Sequence, residues 1–188
     1  MASFRTWRRL STGMLSVLIE MRDDDAGRLA TTLACLVPGA IDGLVRDVVV
    51  LDAGIGPEAR QIAEHAGCAV RPSPELGDVV TNARGEWVLL LEAGAELLPG
   101  WIEIVGRHVG AASADGRGMR FRASGRRWLS GLFVPSRSRR LLRGVLAPRA
   151  VIGRSFRIGM HLCDLAAVIP TRPLDASILP PGRSVSRL

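Results

Sequence analysis

Residues 47–67 read DVVVLDAGIGPEARQIAEHAG, which resolves into a buried strand, a tight turn carrying Asp52 and an amphipathic helix. Val48, Val49, Val50 and Leu51 form a short continuous apolar run, the pattern of a strand covered on both faces. Gly54 and Gly56 permit a sharp turn, and Pro57 sits where a first helical residue tolerates proline. Ala59, Ile62, Ala63 and Ala66 then recur at helical spacing, and Gly67 is a natural stop. In open α/β sheets, ligands bind outside the carboxyl ends of the strands, which is where Asp52 falls. An acid there has two uses: contact with a bound ligand, or acceptance of backbone N–H groups at the start of the next helix.

The stretches on either side repeat this alternation. Leu15–Ile19 (LSVLI) reads as a first strand, Asp23, Asp24 and Asp25 as the acidic lead into a helix, and Leu29, Leu33 and Leu36 as its buried face. Pro38-Gly39 is expected to end that helix. Cys68 to Arg71 reads as a short third strand, and Trp87–Leu91 (WVLLL) as a further buried strand running into Glu92-Ala93-Gly94-Ala95-Glu96. Pro99 opens a helix with Trp101, Ile104, Val105 and His108 on one face. Such alternation predicts an α/β fold with a mostly parallel central sheet flanked by helices. Met119, Phe121 and Ala123 alternate with Arg120, Arg122 and Ser124 as in a half-exposed strand; residues 128–143 read as a helix, and the prolines from Pro170 to Pro181 as a loop-like tail.

The 188 residues suit one domain, 1–188, with a first half (1–110) and a strongly basic second half (111–188). With 47% hydrophobic residues the chain is unlike a disordered one. No apolar run reaches the roughly 18 residues of a membrane span. The basic opening segment is not read as a secretory signal, and three dispersed cysteines fit a reducing, cytoplasmic setting. All 25 basic residues are Arg, and the net charge is −5 over residues 1–100 and +12 over 101–188. Arg117 to Arg157 contains twelve Arg and no acid, a run able to meet phosphate groups, an anionic membrane surface or nucleic acid. Nucleic acid is the weakest of these partners, because aromatic interleaving is thin and no recognised motif is present.

The segments LSVLIEMRDDDAGRLATTLACLVPGA (15–40), VVVLDAGIGPE (48–58), ARGEWVLLLEAGAELLPGW (83–101), FRASGRRW (121–128) and MHLCDLAAVI (160–169) follow one another as in a known family. The chain resembles the small bacterial family 2 glycosyltransferases of GT-A fold. The resemblance implies transfer of a sugar from a nucleotide diphosphate donor to an acceptor hydroxyl. It also implies an acid that reads the nucleoside, carboxylates that hold Mg²⁺ or Mn²⁺ against the diphosphate, and an acceptor-side base. Asp52 matches the nucleotide-reading acid, with Gly54 in its turn and Glu20 at the end of strand one, where the family has Pro-Thr.

Several matched positions depart from the family. The second acid of the nucleotide strand falls at Pro57, and the metal-binding aspartate at Gly94, leaving Glu92 and Glu96 as candidate ligands. The acceptor-side acidic pair falls at His161 and Leu162, leaving His161 and Asp164 as candidate bases. Together these changes imply a degenerate member with weak or absent transfer. The Arg-rich segment then suggests a polyprenyl-phosphate acceptor and peripheral contact with the inner membrane. Two rival readings are a non-catalytic binder of phosphate-rich partners and a dinucleotide-binding oxidoreductase. Gly54-Ile55-Gly56-Pro57-Glu58-Ala59 fits GxGxxA for the latter, although Pro57 removes an N–H from its phosphate turn.

Overall fold

Leu15–Met21, the first strand (β1), is completely buried and lies at the heart of the sheet. It pairs in parallel with β2 (Val45–Asp52) on one side and β4 (Trp87–Glu92) on the other, and β2 continues to the short edge strand β3 (Ala69–Pro72). The helices α1 (Ala26–Ile41), α2 (Pro57–His65) and α3 (Leu76–Thr81) are the crossovers between these strands. The computed structural model describes residues 14–23, 25–110, 117–125 and 138–182. Beyond β4 the direction changes: β7 (Val145–Pro148) runs antiparallel to β4, and β6 (Gly118–Ala123) antiparallel to β7. The order across the eight strands is β3-β2-β1-β4-β7-β6-β8-β5, with β5 at Glu96–Leu97 and β8 at Thr171–Leu179.

Strand alternation sorts the side chains into two layers. Val17, Ile19, Leu89 and Leu91 face α1, α2 and α4 (Trp101–Gly110). Leu18, Val88 and Leu90 face α3 and the helices α6 (Arg149–Ser155) and α7 (Leu162–Val168), with α5 (Ser138–Leu141) beside α7. By the same alternation Glu20 and Glu92 belong to the α6–α7 side and Asp52 to the α1–α2 side. Trp87 and Trp101 are both core residues, as their positions at element ends suggest.

Two sequence expectations give way. Helix α1 runs through Pro38 to Ile41 instead of stopping there. Gly39 is buried under Trp101, where an added Cβ would meet Cη2 at 2.6 Å, so packing against α4 offsets the bond that proline forfeits. The tail is not loop-like: β8 is the longest strand, with Leu174, Ala176 and Ile178 alternating inward. Pro173 is accommodated at a register irregularity against β6. Of the helix read over 128–143, residues 138–143 fall within the described residues: Ser138–Leu141 are helical and Leu142 and Arg143 form a turn; residues 128–137, with Trp128, lie outside them.

Where β4 begins, Gly85 approaches β1 closely: its N–H donates to Ser16 Oγ at 2.8 Å, and a Cβ there would overlap the Ser16 nitrogen and lie 2.6 Å from Met14 O. Ser16 Oγ in turn donates to Asp47 Oδ1 at 2.5 Å, linking β1, β2 and the approach to β4. Gly85→Ala is expected to destabilise the fold by about 1–3 kcal/mol or more, measured by urea unfolding, because backbone and not a pliant side chain must move.

Candidate functional site

The carboxyl ends of β1, β2 and β4 lie in one row. Met21 is in register with Asp52, and Glu20 with Glu92. Asp52 is first of all the residue that closes its own turn. Its Oδ1 accepts from the N–H groups of Gly54 and Ile55, both at 3.0 Å, and its Oδ2 is ion-paired with Arg60. Partial burial works against its ionisation, but the Ile55 and Gly54 N–H groups and the Arg60 guanidinium outweigh it and hold the carboxyl below its ordinary range. The side chain keeps 24% of its surface exposed. The same bonds weaken the dinucleotide reading, since the N–H groups that a pyrophosphate would take in the GxGxxA turn are already donated to Asp52.

Glu20 is 1% exposed. Its Oε2 accepts from Arg22 Nη2 at 3.0 Å, while its Oε1 is buried with no hydrogen-bond partner. His161 Nδ1 lies 3.9 Å from that oxygen, and its side chain is 56% exposed. Arg22 also donates to Cys163 Sγ at 3.3 Å, so the start of α7 sits over the end of β1. Burial, reinforced by Glu20, pushes the Cys163 thiol up, which makes it a poor nucleophile. The structure thus brings together Glu20, Glu92 and His161, residues separated by up to about 140 positions in sequence. Asp164 is turned back on its own helix, its Oδ2 accepting from His161 N–H at 3.2 Å, so it serves as a helix cap.

The predicted cation ligands are not brought together with a third partner. Glu92 stands among Glu20, Asp23, Arg22 and Arg28. Burial pushes its carboxyl above the ordinary range; Arg28 opposes that and the Glu20 charge adds to it. Glu96, on β5, instead reaches the surroundings of the Cys35 thiol on α1. Among the described residues no group of three or more His, Cys, Asp or Glu could hold a metal ion. The sequence reading missed Arg28, which pairs with Asp23 through Nη1, donates to Ala93 O through Nη2 at 2.7 Å and lies 3.6 Å from Glu92 Oε1. A signal existed in the acid run just before it, since Asp25 caps α1 by accepting from Arg28 N–H at 3.2 Å.

Several arginines of the basic segment serve the fold. Arg120 donates to Thr171 O at 2.8 Å, Arg140 to Ile169 O at 2.7 Å and Arg149 to Ala83 O at 2.7 Å, each joining a pair of elements. A cavity of about 580 Å³ lies away from the strand ends, between α3 and the earlier part of β2 and β3. Arg46, Arg71 and Arg84 face it together with Asp47, Glu75 and Asp78, a balanced rim that favours neither charge. Among the described residues no helix is long and apolar enough to cross a membrane.

No protein-family model matches this sequence, and no curated protein does. Solved structures match its fold. Glucosyl-3-phosphoglycerate synthase from Mycobacterium tuberculosis, crystallised with Mn²⁺ and uridine-diphosphate-glucose, aligns over 98% of this chain and 77% of its own, at TM-score 0.61 and 17% identity. Another structure of that synthase aligns over 92% and 73%, at TM-score 0.63 and 14% identity. Mannosyl-3-phosphoglycerate synthase from Rubrobacter xylanophilus aligns over 92% and 68%, at TM-score 0.56 and 14% identity. The chain therefore has the GT-A-like fold of these glycosyltransferases.

Asp52→Ala is expected to cost about 1–2 kcal/mol at neutral pH, because two backbone donors and an arginine lose their acceptor. The sign follows from a depressed carboxyl: the difference from wild type is fully present above the pKa of free aspartate and shrinks as pH falls through the folded-state value. Urea unfolding of both proteins from neutral to acid pH checks this.

Proposed function

We propose that this chain is a glycosyltransferase-like domain related to the family 2 enzymes, which binds a nucleotide-sugar donor at the ends of β1, β2 and β4 and has weak or lost transfer activity. The supporting observation is the coincidence of the GT-A-like strand order with a polar cluster on that row: Asp52, Glu20, Glu92 and, from α7, His161. In this reading Asp52 and the Gly54 turn meet the nucleoside. His161 is the better placed base of the two acceptor-side candidates, since Asp164 is engaged as a cap. The Glu20 carboxylate, its Oε1 3.9 Å from His161 Nδ1, lies beside the imidazole that would take the proton from an acceptor hydroxyl. Loss of activity would follow from the same residues: Arg28 lies 3.6 Å from Glu92 Oε1, and Gly94 offers no ligand.

Two neighbouring structures carry UDP-glucose with Mn²⁺, or UDP with Mn²⁺ and product, which makes UDP the first nucleotide to try. A thermal-shift series with UDP-glucose, GDP-mannose and their free nucleotides is expected to show stabilisation by at least one of them. Asp52→Asn keeps the acceptor oxygen for the turn but loses the charge; it is expected to fold and to lose that stabilisation at least severalfold. No shift with any nucleotide sugar or diphosphate would sink the reading.

Hydrolysis of the donor in the absence of acceptor gives a second readout. Release of UDP from UDP-glucose is expected to be slow, and His161→Ala to reduce it further while leaving the nucleotide-induced shift in place. Equal rates in the two proteins would remove His161 from the chemistry.

A further inference from the structure

We propose that the guanidinium of Arg28 is the resident counter-charge of this site, occupying the place of a divalent cation, so that a nucleoside diphosphate binds here without Mn²⁺ or Mg²⁺. The inference rests on the nucleotide-binding reading above and goes beyond it, because it names the group that faces the diphosphate and removes the metal.

The position follows from the turn after β4. The metal-binding aspartate of the family falls at Gly94, whose φ of +91° disfavours any side chain. A Cβ built there would lie 2.8 Å from Arg28 Nε and 3.1 Å from Pro181 Cβ. A side chain at residue 94 would therefore press on Arg28 and require it to move. The turn is also locked from α1: Gly94 N–H donates to Thr32 Oγ1 at 2.9 Å, and Thr32 Oγ1 donates to Ala95 O at 2.8 Å.

The oxygens around Arg28 form the kind of set a hard cation would select. The Asp23 carboxylate, the Ala93 carbonyl and the Glu92 carboxylate surround a side chain that is 17% exposed. These oxygens are directed at a guanidinium, and a divalent ion entering among them would meet a fixed positive charge. Arg28 Nε is buried without a hydrogen-bond partner, so one donor of the guanidinium is unspent. Charge balance at the ends of β1 and β4 is completed by Arg22, half-exposed beside Glu20. An arginine held by carboxylates on one side can still donate to phosphate oxygens on the other, as a bound metal does, and its charge is permanent. The residues present therefore do not fit the metal that the fold's relatives carry, and no step here is routed through one.

The test compares media before it compares variants. UDP, GDP, ADP and CDP are titrated into the full chain by calorimetry and thermal shift, once in EDTA and once in MnCl₂. The expected result is equal binding in the two media for whichever diphosphate binds. With equimolar Mn²⁺ and no nucleotide, the electron paramagnetic resonance signal of free Mn²⁺ is expected to stay undiminished. Arg28→Met is expected to weaken diphosphate binding at least tenfold in EDTA while the corresponding nucleoside binds as before. Binding that requires Mn²⁺ would overturn the inference and leave the nucleotide-binding reading standing; a diphosphate bound equally well by Arg28→Met would also overturn it. Absence of binding in both media would remove the nucleotide reading and this inference together. Should Arg28→Met fail to fold, the EDTA and MnCl₂ comparison on the wild-type chain decides alone.

Discussion

The parallel pairing of β1 with both β2 and β4 is the constraint on which the rest depends. It sets Asp52 beside Met21 and Glu20 beside Glu92, so that acids from three distant segments end in one line. Neighbouring strands lie about 4.8 Å apart, so Glu20 and Glu92, on the same face, are forced close together. Two like charges at that spacing, one of them fully buried, are tolerable only with cations among them. Arg22 and Arg28 are those cations, and each also holds a second group: Cys163 on α7 for Arg22, and the Ala93 carbonyl for Arg28.

Arginine has a further use across this molecule. With no lysine in the chain, long planar side chains reach carbonyls at the ends of other elements, as Arg120, Arg140 and Arg149 do. A guanidinium can satisfy several acceptors while remaining charged, which suits it to the margins of a sheet where helix and strand ends leave orphan carbonyls. A high positive charge in the sequence therefore overstates the positive surface available to a partner. Arg122 and Asp175 illustrate the opposite case, an exposed pair of little energetic weight.

The parallel half of the fold was legible because its strands are covered on both faces and appear as continuous apolar runs, as in Val48–Leu51 and Trp87–Leu91. Strand β8 was not, because four prolines nearby obscured the alternation of Leu174, Ala176 and Ile178, and Pro173 lies at an irregularity that only pairing with β6 defines. Helix α1 was misjudged at Pro38 because local propensity is outweighed by the tertiary packing of Gly39 on Trp101. At the site, Asp52 and Glu92 were placed by strand ends, and Glu20 and His161 by the family resemblance. Their partners were not: the pairing of Arg28 with the turn after β4 joins residues 65 positions apart, and the acid run before Arg28 marks a helix cap without indicating that contact.

Gly94 has a consequence for how this chain can change. A side chain there would have to displace that of Arg28 and adopt a strained backbone, and removing Arg28 leaves Glu92 and Asp23 without their shared cation. Substitutions at residues 28 and 94 are therefore expected to be non-additive.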